Sequence, residues 1–263
     1  MLTPLRAQYH RCSEESRCWE AAAGPHHFRC AILWFVAIEK ARRWSAWLLR
    51  LALALVAGLY LFWTVSLVAL RFFDPPTTGV QIQRRLEAKL SGHPYRKRYK
   101  WVPLDRISPN LQHAVIAAED GHFYTHHGID WQQVEQVAEE SRATGKIRRG
   151  ASTITQQLVK NLFFTTHRNP ARKVFEYTLA PLADWILGKR RVLELYLNVI
   201  EWGPGVYGAA AASDFHYHTT PARLDREQAA RLAACVPLPL RRKPVWMDQD
   251  SADIMERMGQ HGW

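Results

Sequence analysis

Cysteine is sparse in this 263-residue chain: there are four, of which Cys12, Cys18 and Cys30 precede the longest apolar run and only Cys235 follows it. No disulfide can therefore form within the segment after that run, and no C-x2-C or Cys/His spacing suited to zinc is present. Internal repeats and low-complexity tracts are absent, and alternating strand patterns are scarce, so the expected fold is mainly α. Acidic residues are in deficit, 24 Asp+Glu against 35 Lys+Arg, for a net charge of +11. Such a surface favours anionic partners, whether phospholipid head groups, nucleic acid or a phosphorylated substrate, and charge alone does not choose among them. The length admits one domain of about 100 to 200 residues plus an anchor.

Residues 51–70, LALALVAGLYLFWTVSLVAL, are 20 uncharged residues in succession. At 1.5 Å per residue they span roughly 30 Å, the thickness of a bilayer's hydrocarbon, which predicts a single membrane helix. The run is too long, and too far from the start, for a cleaved signal peptide. Arg42, Arg43 and Arg50 before it, against Arg71 offset by Asp74 after it, lean toward a cytoplasmic N-terminus, although over twenty residues a side the counts tie at four. Residues 1–40 carry no clear periodicity, and the short apolar run at 31–38 cannot cross a bilayer; a poorly ordered or interfacial extension is expected there. The stretch DPPTTG at 74–79 reads as a linker. The cationic SGHPYRKRYK at 91–100 reads either as a solvated loop or as a head-group contact.

Beyond that point the pattern is helical. Ser108-Pro109 is an N-cap followed by Pro at the first helical position, and the helix it opens ends near Glu119. Asp130 with Gln133, and Thr153 with Gln156, open two more, the latter running to about Phe163. Asn169-Pro170 starts a fourth, expected to bend at Pro181, and residues 190–200 and 226–235 make two others.

Four clusters follow in order: Glu119-Asp-Gly-His-Phe-Tyr-Thr-His126-His-Gly128; Arg149-Gly-Ala-Ser152-Thr-Ile-Thr-Gln156-Gln157-Leu-Val-Lys160-Asn161; Arg168-Asn-Pro-Ala-Arg172-Lys173-Val-Phe-Glu176; and Glu194-Leu-Tyr-Leu-Asn198, continuing to Gly203 and Gly208. Gln156, Gln157, Lys160 and Asn161 share a helical face that offers amide and ammonium donors together. Arg172 and Lys173 each project with Glu176, either as a surface ion pair or, with Lys160 and Arg168 close by in sequence, as part of an oxyanion site. Glu119-Asp120 is a carboxylate pair at a helix C-terminus, where the helix dipole and mutual repulsion disfavour it. His122, His126 and His127 admit a metal reading, but lone imidazoles in a turn are more often hydrogen-bonded scaffold.

These motifs resemble, in order and spacing, those of glycosyltransferase family 51, the peptidoglycan glycosyltransferases, over residues 105–236. The resemblance implies a lysozyme-like bilobal domain, with an α-helical lobe and a smaller hydrophobic jaw lobe on the membrane. It implies an enzyme that polymerises lipid II into β-1,4-linked glycan with inversion at the donor and release of undecaprenyl diphosphate. Glu119 would be the base that deprotonates the acceptor 4-hydroxyl. Lys160, Arg168, Arg172 and Lys173 would hold the diphosphate, and Glu176 would position those cations or a divalent ion. Ser152, Gln156, Gln157 and Asn161 would line the substrate path, with Asp120, Phe123, His126, Gly128, Glu194 and Asn198 in support. A divalent cation, Mg or Mn, is the one cofactor expected, with no organic cofactor.

The chemistry agrees with the residues: a sugar hydroxyl needs a base, whereas a departing diphosphate needs charge neutralisation more than a proton. Expected partners are lipid II, the growing glycan, the membrane and proteins of cell wall synthesis or division, without nucleic acid. The expected location is the bacterial inner membrane, single-pass, with the domain on the periplasmic side. S-x-x-K and K-T-G occur nowhere, so no transpeptidase domain is expected. The expected organisation is a cytoplasmic extension (1–50), the membrane helix (51–70), a linker with a basic membrane-proximal segment (71–100), the glycosyltransferase domain (101–245) and a tail (246–263). Two stretches depart from the family pattern, Asp-Phe-His-Tyr-His-Thr at 214–219 and Pro-Leu-Pro at 237–239, which leaves acceptor-side contacts open. The alternatives are a lysozyme-like lytic enzyme, against which the cationic cluster argues, and a non-catalytic membrane scaffold.

Overall fold

The computed structural model describes residues 25–145, 150–167 and 169–263. The first helix, α1 (Pro25–Phe72), is continuous over 48 residues. Its stretch Glu39–Phe72 is long and apolar enough to cross a membrane, alone among the described helices. The helical backbone thus starts well before the apolar run, and residues 31–38 lie within it. The chain divides into two compact units after Phe62. In the first, Leu48, Leu51, Leu55 and Leu61 are exposed, and leucines on several sides of the helix suit a membrane anchor. Trp44 and Trp47 sit edge to face beside Arg42 and Arg43, an arrangement suited to the bilayer interface.

The second unit begins at Trp63 and is mainly α. The last turns of α1 belong to it: Leu67 is fully buried, and Trp63 packs on Phe164 and Phe175 at 5.5 and 5.2 Å. Arg191 donates to the carbonyls of Leu70 and Phe73 and to Asp74, fastening the end of α1 to the domain. The expected linker holds a helix of its own, α2 (Gly79–Ser91), capped by the Thr78 hydroxyl, which accepts from the Gln81 amide.

The helices expected from their caps form where the caps place them. α3 (Pro109–Glu119) starts after Ser108, although the Ser108 hydroxyl donates to the Leu224 carbonyl instead of capping. α4 (Trp131–Thr144) is capped by Asp130, and α5 (Ile154–Phe163) by a reciprocal pair of bonds between Thr153 and Gln156. α6 (Pro170–Val199) runs through both expected helices; Pro181 lies inside the first, and a kink at Gly188 (φ 73°, ψ 157°) stands just before the expected start of the second. That backbone conformation is open to glycine at no steric cost, so the break settles there.

Three short strands follow one another in space as β1-β3-β2: β1 (Arg98–Tyr99) pairs parallel with β3 (Val206–Tyr207), which pairs antiparallel with β2 (Glu201–Gly203). α7 (Gly208–Tyr217) buries a run of alanines, Ala209 to Ala212, against the strands and α6. α8 (Arg226–Cys235) packs on α3 and on α9 (Asp248–Gln260). The expected C-terminal tail is therefore part of the domain. Ser251, Ile254 and Met258 recur at i, i+3, i+7 and are buried, and Arg257 donates to the Ala117 carbonyl at 3.0 Å.

Candidate active site

Glu119 ends α3 at the wall of a cleft of about 940 Å³ that also admits the side chains of α5 and α6. Its neighbour Asp120 turns inward and is buried. There Asp120 accepts from His126 Nε2 at 2.9 Å and from the Ile154 amide at 2.9 Å, which caps the first turn of α5. The unfavourable carboxylate pair is thereby resolved, since Asp120 faces the positive end of one helix while Glu119 faces the cleft. Two of the three histidines brace the turn: His126 pairs with Asp120 and His122 Nδ1 lies 2.8 Å from Asp130.

Phe123 is fully buried, with Lys189 over its ring at 4.7 Å, and anchors the turn. Gly128 closes it with φ 83°, and a Cβ there would stand 2.6 Å from the Ala180 carbonyl oxygen. Only glycine allows the turn to lie so close to α6. Its own carbonyl accepts from Thr153 Oγ1 at 2.6 Å, so turn and α5 cap form one unit.

From α5, Gln157, Lys160 and Asn161 line the cleft. Gln157 Nε2 donates to Glu119 Oε2 at 2.5 Å, while Gln157 Oε1 accepts from the buried Tyr196 hydroxyl at 2.9 Å. The ionised carboxylate can only accept and so selects the amide's NH2 end, while the tyrosine hydroxyl satisfies the oxygen end. Burial pushes the Glu119 pKa up, against the Gln157 bond and the Lys160 charge that favour ionisation. Burial pulls Lys160 down, opposed by Glu176 and Glu119. Asn161 Nδ2 donates to the Gln157 carbonyl. Gln156 must be reassigned: it is fully buried in the α5 capping box and does not line the cleft. The cap engages its Oε1, which accepts from the Thr153 amide, and full burial keeps the side chain from a ligand in the cleft.

The other side of the cleft is the first turns of α6. Glu176 is buried between Arg172 Nε at 2.9 Å and Lys173 Nζ at 3.1 Å. The arginine contact is one of charge rather than an aligned hydrogen bond. Lys173 also donates to Ser152 Oγ at 3.0 Å, joining the loop before α5 to α6. Arg172 Nη1 donates to the carbonyls of Thr165 and His167, so this residue organises the loop between α5 and α6 as well as lining the cleft. Arg168 lies outside the described residues.

Glu194 and Asn198 stand outside the cleft as braces. Glu194 accepts from the Leu104 amide and from Arg191, and Asn198 forms bonds in both directions with the Val102 backbone. Two further residues complete the wall: Arg84, on α2, lies 3.1 Å from Glu201, at the start of β2. Burial raises the Glu201 pKa against the Arg84 charge. Glu201 falls inside the fourth cluster, and its sign of function was its charge amid an otherwise apolar stretch. Tyr196 was also overlooked, although it sits between Glu194 and Asn198. The unusual Pro237-Leu238-Pro239 forms part of the cleft rim.

No three His, Cys, Asp or Glu side chains converge among the described residues. The cleft carboxylates Glu119, Glu176 and Glu201 each already face an amide or a cation. This donor set does not fit a divalent ion held by protein ligands.

Residues 86–260 match the sequence profile of a family described as transglycosylase. The chain is similar to the biosynthetic peptidoglycan transglycosylase of Chromobacterium violaceum, at 43% identity over 195 residues, 73% of this chain and 86% of the relative. It is similar to the proteins of the same name from Nitrosospira multiformis (38% identity; 82% and 96% covered) and Bordetella pertussis (40%; 79% and 90%).

Proposed function

From the premise that this chain belongs to the transglycosylase family, we propose that it polymerises lipid II into β-1,4-linked peptidoglycan strands and releases undecaprenyl diphosphate. The observation that carries the proposal is a partly open carboxylate, Glu119, in one cleft with Lys160, Arg172 and Lys173. Glu119 Oε2 is held by Gln157, and the carboxylate takes the proton of the acceptor's 4-hydroxyl. The bond from that oxygen to the donor's anomeric carbon forms as the carbon–phosphate oxygen bond breaks, and attack from the opposite face inverts an α-linked donor to a β product. The electron pair leaves with the diphosphate, where the cations neutralise it. Arg168 is assigned to the same cluster by its place in the third motif. Glu176 holds Arg172 and Lys173 in place, and Ser152 and Asn161 border the path.

A raised carboxyl pKa brings a base nearer to working pH, where its affinity for a proton is greatest while it remains ionised. The same property would suit the acid of a lytic glycosidase, but such an enzyme has no use for the cations in the same cleft. A divalent cation, Mg or Mn, would arrive with the diphosphate rather than on a protein ligand set, and polymerisation with and without chelator tests this.

The proposed location is the bacterial inner membrane, anchored by α1, with the domain on the periplasmic side. Ile82, Leu86 and Leu90, an exposed apolar stripe on α2, and exposed Val174 and Trp185 on α6 support interfacial contact. Incubation with lipid II and, separately, with finished glycan tests the function: growth of polymer from the first is expected, and fragments from the second would overturn it.

A further inference from the structure

A second cleft, of about 920 Å³, lies away from the catalytic one and shares no lining residue with it. Arg96, Arg98, Lys100 and Arg106 border it. Along the stretch that contains β1, exposure alternates: Arg96, Arg98 and Lys100 are exposed while Lys97 and Tyr99 are partly buried. This is the period of an extended chain, which places the three cations on one face roughly 7 Å apart. None of the four exposed cations has an acidic side chain within ion-pair distance among the described residues, so all four charges are open to a ligand. Arg98 is steadied by the Phe215 ring, 4.7 Å from its guanidinium.

The alternate residues fix where this face stands. Lys97 Nζ donates to the Pro76 carbonyl at 3.0 Å and the Tyr99 hydroxyl to that of Pro75 at 2.7 Å. Pro75 is the third residue after α1 ends at Phe72, so the chain can carry it at most about 10 Å from the end of the apolar helix. Trp101, also at the cleft, has Arg191 over its ring, and Arg191 in turn holds Leu70 and Phe73. The head-group layer beyond a bilayer's hydrocarbon is roughly 5 to 8 Å deep. If α1 is the membrane anchor, the basic face therefore stands within reach of the lipid phosphates.

We propose that this second cleft is a binding site for anionic phospholipid head groups of the phosphatidylglycerol class. The cations match the phosphodiester, and Asp214 and Thr219, on the cleft wall, offer an acceptor and a hydroxyl to the glycerol of such a head group. The basic 91–100 stretch and the divergent 214–219 segment thus meet in one site. The proposal rests on the anchor reading for its depth and is independent of the catalytic assignment.

The test is titration of the full chain in neutral detergent with dihexanoyl phosphatidylglycerol, dihexanoyl phosphatidylcholine and glycerol phosphate, by calorimetry, beside flotation of the reconstituted chain with vesicles. Phosphatidylglycerol should bind in preference, more weakly as salt rises. Each of Arg96→Gln, Arg98→Gln, Lys100→Gln and Arg106→Gln should weaken it about fivefold, the effect of one cation near a charged membrane surface. Lys89→Gln, outside the cleft, should bind as the parent does, and all five should polymerise lipid II in detergent at the parent rate. Equal binding of the two lipids, a preference unchanged in the four variants, or glycerol phosphate binding as well as the lipid would overturn the proposal. Failure of the chain to float with any vesicle would overturn the anchor reading with it, whereas flotation without lipid preference would sink this site alone.

Discussion

Tyr196→Phe removes one oxygen atom from the interior and tests how the base is held. The hydroxyl donates to Gln157 Oε1 at 2.9 Å in a fully buried position, and the same amide donates to Glu119 at 2.5 Å. Without the hydroxyl a buried acceptor is left unpaired, at a cost of about 1 to 2 kcal/mol. For a domain of this size that lowers Tm by roughly 2 to 8 °C. When Glu119 is protonated, the amide is then free to invert and to accept from the carboxyl through its oxygen. A hydrogen bond to the neutral form disfavours ionisation, so the already raised Glu119 pKa moves further up. A base works only when ionised, and activity is lost as pH falls through its pKa. The acid limb of kcat/KM should therefore move to higher pH, while the rate at the top of the profile changes less. Thermal melts and pH–rate profiles on lipid II read both effects. A lowered Tm with an unmoved acid limb would show that the tyrosine supports the core only, and would refute its role in aiming the amide.

Other outcomes follow from the same geometry. In the parent protein, activity should fall on the acid side above the ordinary carboxylate range, from Glu119, and on the alkaline side below the ordinary lysine range, as Lys160 loses its charge; limbs at ordinary values would contradict both assignments. Lys173→Met removes a charge-assisted donor from the cation cluster and should lower kcat/KM for the lipid donor by roughly 10- to 100-fold, the equivalent of about 1.5 to 3 kcal/mol, with a normal circular dichroism melt. Gly128→Ala forces a side chain into a left-handed backbone and against the Ala180 carbonyl, and should cost about 2 kcal/mol or more of stability. An unchanged melt for that variant would mean that the turn relaxes freely.

The helices were legible where a polar cap meets a hydrophobic period: Asp130 with Gln133 and Thr153 with Gln156 open α4 and α5 where the sequence puts them. Gln156 shows the limit of face arithmetic. It lies beside Gln157 in sequence, yet its amide closes the capping box while that of Gln157 meets Glu119. The second half of α6 was expected as a separate helix from Arg190, and the kink at Gly188, where a positive φ favours glycine, stands just before it. α9 was missed since only Ser251, Ile254 and Met258 face inward, a narrow stripe in a polar segment. The Arg84–Glu201 pair was illegible for another reason: 117 residues separate its members, and no local pattern relates them.

In the proposed reaction Glu119 removes the acceptor's proton. Glu119→Gln keeps the shape and can still accept from Gln157. Because burial raises the Glu119 pKa, the carboxyl contributes stability below its unfolded pKa and loses it as pH rises through the folded one, so the amide should not lower Tm at neutral pH. Single-turnover coupling of lipid II by the purified full chain should slow about 10²- to 10⁴-fold in this variant, with donor binding retained. Coupling at the parent rate, in a variant that melts and binds as the parent does, would contradict the claim outright.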